Sequence, residues 1–163
     1  MDRLWAPWRV KYNTTLDKKD RRCVFCKILN EKKDQKNFIF ERSKHAFAVL
    51  NIYPYNNGHC LIVSNRHVGD LEQLKGEEKQ DMLELLEKTK SLVDRVLKPK
   101  GYNIGMNLGR VAGAGFPGHL HIHLVPRWAG DVNFMPTISH TRVISQSLMA
   151  LYKKLKDAYQ KRD

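Results

Sequence analysis

The stretch that decides the fold is GHLHIHLVPRW, residues 118–128. Three histidines stand two residues apart within it, at His119, His121 and His123, and an aliphatic residue follows each of them. Successive side chains of an extended strand point to opposite faces, so the aliphatic residues can pack against a core while the histidines face something polar. Three desolvated imidazoles without polar partners would be costly, and the stretch therefore predicts a strand that carries a functional site.

Two kinds of site fit such a strand. His-x-His can ligate a catalytic metal, or one imidazole can act as a nucleophile that its neighbours orient. A hydrolytic metal site would want further acidic or histidine ligands nearby, and the sequence downstream offers only Asp131 and His140. Immediately upstream lies GRVAGAGFPG, residues 109–118, whose glycines allow backbone N–H groups to turn inward around phosphate oxygens. Together the loop and the histidines favour a phosphoryl group placed against an imidazole.

The rest of the chain alternates strand-like and helical patterns. Strands are predicted at 37–42, 45–50, 59–64 and about 102–108, in addition to the histidine strand. Helices are predicted at 23–33, over most of 70–98 with Gly76 inside the run, and at about 142–159. Residues 1–22 are expected to form an irregular arm. Turns join the strands and the helices are gathered apart from them, which indicates a single α+β domain, residues 1–163, with a largely antiparallel sheet.

The composition bounds the class of protein. Hydrophobic residues make up 42% and charged residues 28%, as in a globular protein, and no run of about 18 apolar residues predicts a membrane span. The net charge of +12 favours anionic partners such as nucleotides, while the lack of an RNA-binding signature argues against nucleic acid. Three cysteines without an export signal indicate a reducing compartment, and we expect a cytoplasmic protein.

The Cys23-x-x-Cys26 pair is a weaker signal. Two buried thiols at the start of a helix and a metal knuckle account for it equally well. A redox role would want a thioredoxin-like βαβ context, which the surrounding sequence does not have. The motif by itself leaves the first two interpretations open.

The histidine stretch also matches a known signature, His-φ-His-φ-His-φ-φ with φ hydrophobic, and the chain thereby resembles the histidine triad (HIT) superfamily. The resemblance extends to further segments: Cys23-Val24-Phe25-Cys26, the segment from Asn51 to His67, Asn107, and Val125-Pro126-Arg127-Trp128. The W-A-P-W-R opening, residues 5–9, and G-D-x-N-F, residues 130–134, are similar to a bacterial branch related to fragile-histidine-triad hydrolases and diadenosine tetraphosphate phosphorylases. The resemblance implies a HIT-like fold, a five-stranded sheet with one long and one C-terminal helix.

The resemblance implies a catalytic set of four histidines: His121, His123, His119 and His59. In this family the middle histidine of the triad attacks the α-phosphorus of a nucleotide and becomes covalently nucleotidylated, which assigns the nucleophile to His121. His123 matches the third triad position, close to the phosphates. His59 matches a histidine that supports the network.

The resemblance also implies the residues that bind the nucleotide. Asn51 matches the position that contacts the ribose hydroxyls. Asn107 and the backbone of Gly115 and Phe116 match the phosphate-binding loop. The candidates for the base pocket are Phe25, Phe47 and Leu50.

The loop departs from the commonest family pattern, in which glutamine is followed by a serine or threonine whose hydroxyl can donate to the scissile oxygen. Here Phe116-Pro117 stands instead, and Pro117 has neither a hydroxyl nor a backbone N–H, so leaving-group activation must differ. The implied function is a nucleotide hydrolase or transferase that cleaves dinucleoside polyphosphates or AMP conjugates. The alternatives are a nucleoside phosphoramidase, which the departure disfavours, and a non-catalytic nucleotide-binding protein.

Several proteins of the superfamily complete a zinc site from such a cysteine pair, a downstream histidine and the first triad histidine. The resemblance thus implies that Cys23, Cys26, His67 and His119 hold one structural Zn²⁺ per chain, with no organic cofactor. Cys60 falls outside this set and is expected in the core. Family members commonly join their sheets edge to edge, and we expect a homodimer with one extended sheet.

Overall fold

The sheet of the computed structural model has five strands, each antiparallel to its neighbours. The structure describes residues 23–131 and 144–160. In chain order the elements are α1 (Val24–Glu31), α2 (Asp34–Asn37), β1 (Ile39–Arg42), β2 (Ala46–Leu50), β3 (Cys60–Ser64), a 3-10 turn (Leu71–Gln73), α3 (Gly76–Leu97), β4 (Gly101–Gly105), β5 (His121–Arg127) and α4 (Leu148–Gln160). The strand order is β1-β2-β3-β5-β4, so β1 and β4 form the edges. The predicted α+β class and antiparallel five-stranded sheet are confirmed.

The two faces of the sheet bury different residues. On one face, Val63 of β3 lies opposite His121 of β5, and Leu61 lies opposite His123. Directly opposed residues of neighbouring strands share a face, so we call this the histidine face; α1 packs on it through Phe25. The other face, the helix face, packs against α3 and α4 and forms the larger core. The aliphatic residues of the histidine stretch belong to that core: Leu120, Ile122 and Leu124.

The long helix begins later than its hydrophobic pattern suggests. The run 70–98 divides into the 3-10 turn at Leu71–Gln73 and α3, which begins at Gly76. The Glu78 carboxylate accepts the Lys75 backbone N–H at 2.7 Å, which satisfies one of the N–H groups that a helix start leaves without an intrahelical partner. Gly76 therefore opens the helix rather than interrupting it.

β4 is shorter than predicted. It ends at Gly105, which pairs with His123, and the chain then leaves the sheet for a loop that returns to β5. β5 itself begins at His121, so His119 precedes the regular strand. Four elements begin and end within two residues of their predicted bounds: α1, β1, β2 and β3. The short helix α2 was not predicted.

The C-terminal helix also begins later than expected. α4 starts at Leu148, where the Ser147 hydroxyl oxygen accepts the Ala150 N–H at 3.2 Å. The predicted arm, 1–22, and parts of two other predictions, 132–134 and 142–143, lie outside the described residues. None of the helices in the described segments is long and apolar enough to cross a membrane.

Candidate active site and metal cluster

His121 is buried at the start of β5, 7% exposed, with its ring 5.0 Å from the Phe25 ring. Its Nδ1 lies 2.9 Å from the backbone carbonyl oxygen of His119. A carbonyl oxygen only accepts, so Nδ1 carries the proton and donates, while Nε2 of the neutral ring holds the lone pair. Burial lowers the pKa of His121, and the hydrogen bond to the His119 carbonyl raises it by less, so the neutral ring is favoured. The imidazole is thereby held in a tautomer that can act as a nucleophile.

His59 and His123 form a hydrogen-bonded pair beside His121. His59 is buried immediately before β3, and its Nδ1 accepts the backbone N–H of Tyr55 at 3.0 Å. An amide N–H only donates, so the proton of neutral His59 is on Nε2, which lies 2.9 Å from His123 Nδ1. Donation across this contact places the proton of neutral His123 on Nε2. The Tyr55 amide thus sets the tautomers of both rings.

Two side chains of the loop 51–58 contact the same pair. The Tyr55 ring packs on His59 with ring centroids 4.6 Å apart and lies nearly parallel to His123, at 13° and 5.7 Å. Asn51 Nδ2 is 3.3 Å from His59 Nδ1, and Asn51 Oδ1 accepts the Tyr53 N–H at 2.9 Å. Tyr55 is a site residue that the sequence did not indicate, because PYNNG has the composition of a turn and nothing in it marks one side chain for stacking.

A second cluster lies on the other side of the triad, where Cys23, Cys26, His67 and His119 bring four ligand atoms within 4.8 Å of one another. His119 Nδ1 is 3.1 Å from Cys23 Sγ and 3.5 Å from Cys26 Sγ. His67 Nδ1 is 3.3 Å from Cys26 Sγ and 3.2 Å from His119 Nδ1. Around a tetrahedral zinc ion the separations would be about 3.3 Å between two nitrogens and about 3.5 Å between nitrogen and sulfur. The residues present therefore fit one small tetrahedral ion, and we call them the metal cluster.

The protonation states around the metal cluster suit a cation. His119 Nε2 lies 2.7 Å from the Ser64 carbonyl oxygen, so that nitrogen donates and Nδ1 presents its lone pair to the cluster. Desolvation lowers the pKa of His119, which favours the neutral ligand. Burial and the adjacent Cys23 thiol raise the pKa of Cys26. A bound cation reverses that preference because it stabilises thiolates.

The glycine-rich loop packs against the same aromatic residue as the triad. Phe116 meets Phe25 edge to face at 5.5 Å, and Gly115 precedes it half-buried. Asn107 Nδ2 donates to the Gly113 carbonyl oxygen at 3.4 Å, and Gly113 has φ +90°, a conformation that favours glycine. Asn107 therefore holds the first part of the loop in shape. Phe116, near the end of the loop, lies beside the histidine face.

The loop that carries His67 approaches the entry to the triad strand at backbone distance. A Cβ at Gly69 would lie 2.9 Å from the Pro117 carbonyl oxygen, so a side chain there would force the two segments apart. The Leu120 N–H donates to the Val68 carbonyl oxygen at 2.6 Å. This contact places His67 next to His119 although 51 residues separate them in the chain.

Two residues expected in the base pocket are core residues. Phe47 shares the histidine face but is fully buried beneath it. Leu50 is 2% exposed and belongs to the core on the helix face, so the structure does not bring it to the histidines. The segment AFAVL is apolar throughout, and the alternation that would reveal its two faces is missing. Cys60 lies in the helix-face core, as expected.

The sequence model of the HIT domain matches residues 32–130, most of the chain. The chain is 37% identical over 155 residues to the AP-4-A phosphorylase of Mycobacterium tuberculosis, covering 91% of this chain and 79% of that protein. It is 32% identical over 93 residues to the asymmetrical bis(5'-nucleosyl)-tetraphosphatase of Schizosaccharomyces pombe, covering 57% of this chain and 50% of that protein.

The fold has solved counterparts as well. The crystal structure of a zinc-bound histidine triad family protein from Mycobacterium smegmatis aligns with a TM-score of 0.69 at 25% identity, covering 85% of this chain and 94% of that one. The antiparallel sheet with its row of histidines is thus a fold of the histidine triad class. The chain belongs to the HIT domain family.

Proposed function

We propose that this chain is a nucleotide hydrolase or transferase that cleaves its substrate at the α-phosphate through a covalent intermediate on His121. The observation that carries the proposal is the 2.9 Å hydrogen bond from His121 Nδ1 to the His119 carbonyl, because it leaves the Nε2 lone pair free to attack. Both curated relatives named above act on nucleotides by name, which supports this general kind of activity.

The reaction divides into two displacements. In the first, His121 Nε2 attacks the α-phosphorus, a P–N bond forms, and the P–O bond to the departing polyphosphate breaks with its electron pair on oxygen. In the second, water or inorganic phosphate attacks the same phosphorus, and the P–N bond breaks with its electron pair returning to Nε2. We assign the His123 Nε2–H, whose tautomer follows from the hydrogen-bond chain that begins at Tyr55, to donation to a phosphate oxygen.

The substrate we propose is a dinucleoside polyphosphate of the diadenosine tetraphosphate type. A polyphosphate leaves as a weakly basic anion, whereas the amine of a phosphoramidate must gain a proton as it leaves. Phe116-Pro117 supplies no hydroxyl that could donate this proton to the leaving amine. The loop therefore favours cleavage of P–O–P over P–N linkages.

The nucleotide contacts remain proposals drawn from the family resemblance and the present geometry. Asn51 borders the His59 pair and is assigned to the ribose hydroxyls. Asn107 and the backbone of Gly115 and Phe116 are assigned to the phosphates, since their loop packs beside the triad. Phe25, which contacts both His121 and Phe116, is assigned to the base pocket.

The metal cluster is proposed to hold one structural zinc ion per chain. Two thiolates and two imidazoles make a closed tetrahedral set, and the ion would tie the start of α1 to the triad strand. Cys23 and Cys26 must stay reduced to hold it, which is consistent with a cytoplasmic location.

We also propose a homodimer formed through β4. This strand leaves Ile104 50% exposed and lies at the edge of the sheet formed by the described residues, so pairing with a second copy would satisfy the backbone groups on its outer side. A monomeric mass by light scattering at micromolar concentration would contradict the proposal.

The decisive experiment is a product analysis with diadenosine tetraphosphate in the presence and absence of inorganic phosphate. Attack by phosphate on the His121 adduct yields ADP and ATP, and attack by water yields AMP and ATP. Adenosine 5'-phosphoramidate in parallel tests the P–N alternative. Rapid acid-free quenching should trap one AMP on the peptide that contains His121. The absence of both turnover and adduct would refute the proposed function.

A further inference from the structure

We propose that Asn56 and Asp131 are positioning residues that fix the tautomers of the His59–His123 pair from outside the histidine cluster. The effect of these two residues on the tautomers is independent of the proposed function, whereas their effect on the reaction rate rests on it. The observation is a continuous set of hydrogen bonds from Asp131 to the turn at 54–58.

The Asn56 side chain joins the turn at 54–58 to the end of β5 and to Asp131. Asn56 Nδ2 donates to Asp131 Oδ2 at 2.8 Å and to the Pro126 carbonyl oxygen at 3.1 Å. The Asn56 side-chain and backbone oxygens accept the Asn57 and His59 N–H groups at 2.9 and 3.2 Å. Asn56 is thus bound to Asp131 on one side and to the start of β3 on the other.

The Asp131 carboxylate accepts several hydrogen bonds. Its side chain is 7% exposed, and Arg127 donates to it from Nε at 2.6 Å and from Nη2 at 2.9 Å. The Trp128 backbone N–H adds a further donor at 3.1 Å, and Arg127 also donates from Nη1 to the Asn103 side-chain oxygen at 2.7 Å. These contacts join the end of β5, the edge strand β4 and the turn.

The consequence for the histidines follows from the direction of donation. The anchored turn holds the Tyr55 N–H 3.0 Å from His59 Nδ1, which forces the His59 proton onto Nε2 and makes His123 Nδ1 the acceptor. If the turn moves, His59 Nδ1 loses its shorter donor, the Tyr55 N–H, and keeps only the 3.3 Å contact with Asn51 Nδ2, so the proton can shift to Nδ1. His123 then loses the donor that sets its own tautomer. Its proton can move from Nε2 to Nδ1, and Nε2 then has no proton to donate to the phosphate.

The test compares Asn56→Ala and Asp131→Asn with wild type by ¹⁵N NMR of the histidine rings, together with steady-state kinetics on diadenosine tetraphosphate. In wild type the His59 Nδ1 resonance should be that of an unprotonated nitrogen and Nε2 that of a protonated one. Both variants should show exchange between the two tautomers of His59. Their kcat should fall roughly 10- to 100-fold, the scale of misplaced catalytic groups, with KM changed much less.

Asp34→Asn is the matched control, because Arg42 donates to Asp34 from Nε and Nη2 just as Arg127 does to Asp131, but Arg42 lies on the edge strand β1, three strands away from β5. This control should keep the wild-type tautomers and kcat while losing a comparable ion pair. The inference is overturned if Asn56→Ala and Asp131→Asn keep a single His59 tautomer. It is equally overturned if their kcat matches that of the control. A wild-type protein with the stated tautomer but no turnover of this substrate would instead refute the proposed function.

Discussion

Replacing Cys23 by alanine tests whether the metal cluster holds an ion that stabilises the fold. Cys23 Sγ lies 3.1 Å from His119 Nδ1, at the residue before α1, and α1 packs on the histidine face through Phe25. Cys23→Ala leaves three ligands, with the fourth position open to water. We expect the ion to be lost on dialysis, whereas wild-type protein should retain about one zinc per chain.

The size of the effect follows from binding linkage. An ion present at 100 times its dissociation constant stabilises the folded state by about 2.7 kcal/mol. For a chain of this size each kcal/mol moves the melting temperature by roughly 2–4 °C, so Cys23→Ala should melt about 5–10 °C lower than wild type in zinc-containing buffer. A chelator should bring wild type down to the temperature of the variant and leave the variant unchanged.

Cys60→Ala is the control for deleting a cysteine. Cys60 is fully buried, its thiol donates to the Gly58 carbonyl oxygen at 3.2 Å, and burial raises its pKa to about 12. Its replacement removes one sulfur from the helix-face core, at a cost of about 1 kcal/mol, and should leave zinc content and the chelator response intact. Equal melting temperatures for wild type and Cys23→Ala, with no response of wild type to the chelator, would refute the metal assignment.

Three further predictions concern the site, the turn and acid stability. His121→Ala should lower the turnover of diadenosine tetraphosphate at least ~10⁴-fold with substrate binding weakened far less, and a label that maps to another histidine would contradict the assignment. Gly58→Ala should destabilise by about 1–3 kcal/mol in thermal melts, because Gly58 has φ +75° and the added Cβ would lie 2.5 Å from Leu97 Cδ1; an unchanged melting temperature would argue against strain there. The hydrogen-bonded Arg66 guanidinium lowers the pKa of Glu78 from 4.5 to about 2, so this carboxylate contributes stability above about pH 4.5 that is lost as the pH falls towards 2. Glu78→Gln should remove about 1 kcal/mol of that dependence in urea titrations between pH 6 and 2, a small value because Arg66 is 45% exposed, and a wild-type acid dependence in the variant would refute the role of this pair.

The two faces of a strand could be predicted where polar and apolar residues alternate. His121 and His123 alternate with aliphatic residues, and the structure places the two sets on opposite faces of β5. Leu50 could not be placed in this way because its strand is apolar on both sides, and only pairing with β3 decides which side faces the helices. Prediction failed for the start of α3 for a related reason, since the apolar spacing continues through the 3-10 turn.

By itself the sequence determined the class of fold, the row of histidines, and the residue types able to bind a metal, because these depend on local periodicity and on chemistry that each side chain carries alone. Only the tertiary structure decided which nitrogen of each imidazole bears its proton. That state depends on where the fold places each donor and acceptor: the Ser64 carbonyl, distant in the chain, for His119, the Tyr55 amide of the folded turn for His59, and through the distant His59 the tautomer of His123. A hydrogen bond acts over about 3 Å, so its partner is known only once the chain has folded.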